Sequence, residues 1–149
     1  MMKASQNLIR LFTVILAYLL SLSATAETKS FNNYTVHYSV FNSTFLQPNI
    51  AAQYGIPRGK REGVLNISVQ KKQEGSTKPV SAILNGKVIN LIQQSQKLSF
   101  KKIEEGTAIY YLAPFSFTNE EHLKFAVEIQ PDPNQSAFKL NFNHKLYEE

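Results

Sequence analysis

Tyr34-Thr35-Val36-His37-Tyr38-Ser39-Val40 alternates a large apolar side chain with a polar one at every step. Successive side chains of a strand point to opposite faces, so a period of two marks a half-buried strand. Tyr34, Val36, Tyr38 and Val40 share one face, and Thr35, His37 and Ser39 the other. The same pattern recurs outward along the chain. Leu65, Ile67 and Val69 alternate with Asn66, Ser68 and Gln70; Leu123, Phe125, Val127 and Ile129 with Lys124, Ala126 and Glu128; Phe138, Leu140 and Phe142 with Lys139, Asn141 and Asn143. Ile109, Tyr111, Ala113, Phe115 and Phe117 also share a face. Leu98, Phe100 and Lys102 predict a short strand beside Ile103. Val80–Leu84 and Lys87–Ile92 flank Asn85-Gly86, a pair suited to the positive φ angles of a type I′ turn, which predicts a hairpin there. Glu27–Asn32 is polar and is expected to fray. One stretch departs from the pattern. Pro48–Gly55 predicts a two-turn helix, with proline at its start and glycine at its stop.

No other helix is needed, so a parallel sheet with crossover helices is excluded. The expected fold is all-β: an immunoglobulin-like antiparallel β-sandwich of about seven or eight strands with one short helix. Its inner faces would hold Tyr34, Val36, Tyr38, Leu65, Ile67, Val69, Tyr111, Phe115, Phe125, Val127, Leu140 and Phe142. A small β-barrel is the alternative. Tyr110, Leu112 and Pro114 make one strand apolar on its outer side too, so either the Pro48–Tyr54 segment or a partner should cover it.

Residues 1–26 are expected to be a signal peptide. Lys3 and Arg10 precede the apolar run Leu11–Leu22, and Ala24-Thr25-Ala26 offers the small-x-small site before Glu27. The apolar run is short for a spanning helix, which needs about 20 residues. Removing it leaves residues 27–149 as a single domain of 123 residues. The segment takes Lys3 and Arg10 from the 16 basic residues and none of the 11 acidic ones, so a net charge of +5 falls to +3. That surplus favours solubility and lacks the dense basic stripe of a nucleic-acid binder. Cysteine is absent. The domain must therefore stand on its core, without disulfides, and has no residue to acylate as a lipoprotein. No membrane anchor is expected after cleavage, and the expected location is the periplasm, with secretion as the alternative.

The lack of cysteine also excludes thiol catalysis and thiolate metal sites. A Ser-His-Asp triad would have to use Asp132, the sole aspartate, which sits between two prolines. No nucleophile elbow, phosphate-binding glycine loop or His-Glu-x-x-His occurs. His37 and His122 lie at outward parity. His144 continues the inward parity of Phe138, Leu140 and Phe142, which places it at the wet end of the sandwich; a ligand or acid–base role is the alternative, and one histidine makes no site without partners. Glu104-Glu105 and Glu120-Glu121 are adjacent pairs that a strand would point to opposite faces, so neither forms an acid–base dyad. No catalytic residue, cofactor or metal ligand is assigned.

Tyr34–Leu46, with Tyr54-Gly55-Ile56, Leu65–Val69, Gly106–Tyr111 and Asn119–Phe125, resembles domain-of-unknown-function family 4426, small exported proteins of Gram-negative bacteria. The likeness covers about residues 31–147. It implies an exported bacterial β-domain and brings no activity, cofactor or site residue.

The functional expectation is an exported soluble module that binds an envelope protein and does not act as an enzyme. A carrier for a lipid or small hydrophobe is the alternative. The candidate recognition surface lies within Asn42–Arg61, which leaves the strand pattern. It combines the aromatic anchors Phe45 and Tyr54 with a charged rim of Arg58, Lys60 and Arg61.

Overall fold

The computed structural model describes residues 26–149. The leader proposed from sequence, including Ala24, lies outside them; Ala26 and Glu27 lie inside. Ten strands follow in order: β1 (Glu27–Phe31), β2 (Tyr34–Asn42), β3 (Glu62–Gln73), β4 (Ser76–Pro79), β5 (Ile83–Asn90), β6 (Ser95–Leu98), β7 (Lys101–Glu105), β8 (Ala108–Ser116), β9 (Glu121–Gln130) and β10 (Phe138–Leu146). A 3-10 turn, Ser43–Phe45, and helix α1, Pro48–Gln53, lie between β2 and β3.

The strands form two antiparallel sheets. The first runs β1-β2-β3-β8-β7, with β4 on the far end of β3, and the second runs β10-β9-β5-β6. Without β1 and β4, the orders β2-β3-β8-β7 and β6-β5-β9-β10 are those of an immunoglobulin-like sandwich with one added strand beside the smaller sheet. No closed barrel forms. The eight central strands match the expected number, and β1 and β4 raise the total to ten.

The inward faces meet as expected. Phe125, Leu65, Ile67, Ile129, Leu140, Val36 and Val69 are among the fully buried side chains, and Phe142 packs against them half-buried. Phe125 stacks on Phe142 at 4.8 Å and meets the edge of Phe115 at 5.2 Å.

Three local expectations are corrected. Glu27–Asn32 does not fray. Glu27–Phe31 pairs with β2 from Glu27↔Tyr38 to Phe31↔Tyr34, because the partner strand offers a free edge that satisfies its backbone groups. Asn85-Gly86 is no turn. β5 runs straight through it, and Gly86 lies opposite Val127 and beside Leu98. A Cβ there would stand 3.2 Å from the Ala126 carbonyl and 3.1 Å from Val127, so this glycine serves close approach between strands. Two-residue hairpins fall at Asn32-Asn33, Glu74-Gly75 and Gly106-Thr107, where Phe31 pairs with Tyr34, Gln73 with Ser76 and Glu105 with Ala108. Finally, the stretch Leu98–Ile103 is two strands. β6 ends at Leu98 in the second sheet and β7 begins at Lys101 in the first.

Helix α1 spans six residues, just under two turns, and ends as its sequence predicts. Gly55 has φ 61°, and the Ile56 and Gly55 amides donate to the Ala51 and Ala52 carbonyls at 2.8 and 3.2 Å. This paired closure satisfies carbonyls that the helix leaves open. α1 covers the outside of the first sheet. Leu46, Ile50, Ala51 and Ile56 bury Val64, Ile103 and Leu112 in a second apolar cluster, with Tyr54 and Tyr110 at its margin. Leu112, and Tyr110 in part, are thus covered by the chain itself.

Candidate recognition end

The open ends of β2, β3, β8, β9 and β10 meet at one end of the sandwich. Asn42, buried at the close of β2, donates from Nδ2 to the Tyr147 carbonyl at 2.7 Å, which joins the two sheets there. Ser43 is buried and holds the loop above it. Its hydroxyl accepts from the Gly59 amide at 3.0 Å and donates to the Gly59 carbonyl at 3.3 Å. Arg61 pairs with Glu148 through Nε at 3.1 Å, and its carbonyl accepts from the Phe117 amide.

The five residues proposed from sequence divide by role. Phe45 is 43% exposed on the 3-10 turn. Lys60 and Arg61 are exposed on the loop leading into β3. Arg58 is exposed but engaged: Nε donates to the Leu46 carbonyl at 2.9 Å and an Nη donates to Thr44 at 3.1 Å, tying the loop to the 3-10 turn. Tyr54 faces inward. Its ring joins the cluster under α1, and its hydroxyl donates to Glu105 at 3.0 Å. Burial, helped by Glu105, raises its phenol above the ordinary value. Tyr54 and Arg58 therefore build the platform, while Phe45, Lys60 and Arg61 face solvent.

Tyr147 joins them. It is 53% exposed, with the Lys145 ammonium 4.8 Å from its ring centre. Sequence reasoning missed it because it follows the last strand and nothing local marks it. The Asn42 hydrogen bond and the Arg61–Glu148 pair bring it beside the loop.

Glu121 and His122, at the start of β9, also lie at this end, whereas Asp132, between β9 and β10, lies at the other. His37 lies part-buried within 3.3 Å of Gln70, and His122 is exposed. His144 is half-buried, and desolvation lowers its pKa against an upward pull from Glu27. Glu27 also accepts from Tyr38 at 2.8 Å, and burial with that bond pushes the Tyr38 phenol up to about 12. Asp132 accepts from the Asn134 amide and serves its turn. Among the described residues no three His, Cys, Asp or Glu side chains gather as metal ligands, and no helix is long and apolar enough to cross a membrane.

Residues 28–149 match the family model described as a domain of unknown function, DUF4426. The chain belongs to this family. A crystallised DUF4426 protein from Pseudomonas aeruginosa PAO1 is similar at 33% identity and a TM-score of 0.72, over 83% of this chain and 96% of the other. FetP of uropathogenic Escherichia coli strain F11, recombinantly expressed in the periplasm of Escherichia coli BL21(DE3), shares the fold at 12% identity and a TM-score of 0.62, over 83% and 95% of the two chains. A copper-bound variant of that FetP aligns at a TM-score of 0.60 and 12% identity, over 83% and 96%. No curated protein matches the chain.

Proposed function

We propose that this DUF4426 protein is an exported, periplasmic accessory module that binds another envelope protein through the end of the sandwich bearing Phe45, Lys60, Arg61 and Tyr147. One observation carries the reading: two exposed aromatic rings and a basic loop meet on a platform held by buried Asn42 and Ser43. Aromatic and arginine side chains contribute disproportionately at protein interfaces, above all on a rigid support. Work by binding, without catalysis, agrees with the scattered histidines and the engaged Asp132. A carrier would need a lined cavity between the sheets, and that space holds Phe125, Ile67, Ile129 and Leu140. FetP binds copper in one of its structures; with no group of three such ligands among the described residues, copper is not part of this reading.

The test is crosslinking in intact cells. Phe45→Ser with Lys60→Ser and Arg61→Ser should keep the melting temperature within a few degrees, because exposed charges add little stability, and should remove the crosslinked partner. Capture of the same partner in the same yield would refute the reading. N-terminal sequencing of the exported protein should begin at Glu27; a retained Met1 would refute export by cleavage.

A further inference from the structure

The outer face of the second sheet carries a concentrated positive charge that the family assignment does not explain. Pairing register places Lys139, Asn141, Asn143 and Lys145 of β10 on it, beside His122, Lys124, Ala126 and Glu128 of β9. β5 adds Asn85, Lys87 and Ile89, and β6 adds Ser95 and Lys97. Five lysines thus oppose one glutamate. From residue 27 onward the chain holds 14 basic and 11 acidic residues. Outside this face that leaves nine against ten, so the face holds more than the whole positive surplus. Among the described residues, only Lys145 of the five pairs with a carboxylate, Glu120 at 3.6 Å.

The chemistry of the face differs from that of the recognition end. It has no arginine, its aromatic rings are only His122 and, at its margin beside Lys145, Tyr147, and it is built on lysine, which protein interfaces avoid. Lysine ammoniums are compact, mobile point charges. Spread over a sheet, they suit a diffuse array of negative charges better than one fitted partner. The hairpin joining β5 to β6 adds an apolar element. Leu91 and Ile92 at its tip are 76% and 74% exposed. The turn is firm: the Asn90 side chain accepts from the Gln94 amide at 2.9 Å and donates to Gln94 Oε1 at 2.9 Å. Two aliphatic side chains on a rigid tip, at the rim of a lysine face, have the two elements of peripheral membrane binding: a shallow apolar insertion and attraction to anionic headgroups.

We propose that the outer face of the second sheet docks on a bilayer containing anionic phospholipid, with Leu91 and Ile92 entering the headgroup region. Such docking is reversible.

The experiment is co-sedimentation of the protein purified from exporting cells with vesicles of phosphatidylethanolamine, with or without phosphatidylglycerol. Wild type should sediment with the phosphatidylglycerol vesicles and be released by salt, because surface attraction is screened. Lys87→Gln, Lys97→Gln and Lys124→Gln together should weaken binding about 100-fold, at roughly fivefold per lysine near the surface. Lys71→Gln, Lys72→Gln and Lys78→Gln remove the same charge from the β3–β4 hairpin, off the face, and should change binding by no more than about twofold per lysine, since charge a Debye length from the surface is screened. Leu91→Ser with Ile92→Ser should weaken binding about tenfold with the salt dependence kept. Equal loss in both lysine triples would overturn the proposal, since net charge alone would then explain binding. So would equal sedimentation with pure phosphatidylethanolamine, or retention on polyglutamate with none on the vesicles.

Discussion

The two sheets turn unlike faces outward. The first carries Thr35, His37, Ser39, Asn66, Ser68 and Gln70 on its outer side, and α1 buries Val64 and Leu112 there. The second has no cover and presents lysines. Both derive from the same two-residue alternation, so the difference lies in what the chain does after each strand. The 19 residues between β2 and β3 fold back over their own sheet. The second sheet's connections are turns at its ends. An outward position is therefore solvent on one sheet and partly core on the other.

Four substitutions sharpen or break this comparison, from the largest effect down. Phe125→Ala removes the ring between Phe115 and Phe142 and should cost about 3–5 kcal/mol in denaturant unfolding. Lys124→Ala, one residue away on the outer face, should cost almost nothing; equal losses would break the inside-outside assignment of β9. Leu112→Ala tests the covered face. Buried under α1, it should cost about 2 kcal/mol or more, whereas Lys87→Ala on the bare face should be neutral. A neutral Leu112→Ala would show that α1 merely rests on the sheet.

Arg58→Ser is expected to lose about 1 kcal/mol, since its guanidinium holds two loop carbonyls. Lys60→Ser removes an exposed side chain and should leave the melting temperature in place. The smallest effect concerns His144. Burial lowers its pKa from 6.5, so the neutral ring is favoured in the fold. Its contribution is complete above about 6.5 and is lost as the pH falls through the folded value. The melting temperature should drop on acidification from neutrality, and less steeply in His144→Gln. Identical pH profiles for the two proteins would remove His144 from the account.

Alternation placed Phe125, Leu140, Ile67 and Tyr111 inside correctly, because a strand's side-chain period is a local property of the backbone. It also located α1, where proline and glycine act through their own dihedral preferences. The same local reading misplaced the hairpin. Asn85-Gly86 carries a turn signature, yet sheet pairing on both sides of β5 outweighed it. In the loop Asn42–Arg61, sequence identified the irregular segment and its charges. It could not separate Arg58 and Tyr54, whose polar groups are spent on Leu46, Thr44 and Glu105, from Phe45 and Arg61, which face solvent.

What the chain determined by itself was the all-β class, the inward residues and the short helix, since each depends on neighbours a few positions apart. Tertiary structure alone decided that Tyr147 meets Asn42 across 105 positions, and that five lysines from four strands share one bare face. Both depend on which strands become neighbours. That choice follows from pairing and packing of the whole core, and no local stretch of sequence records it.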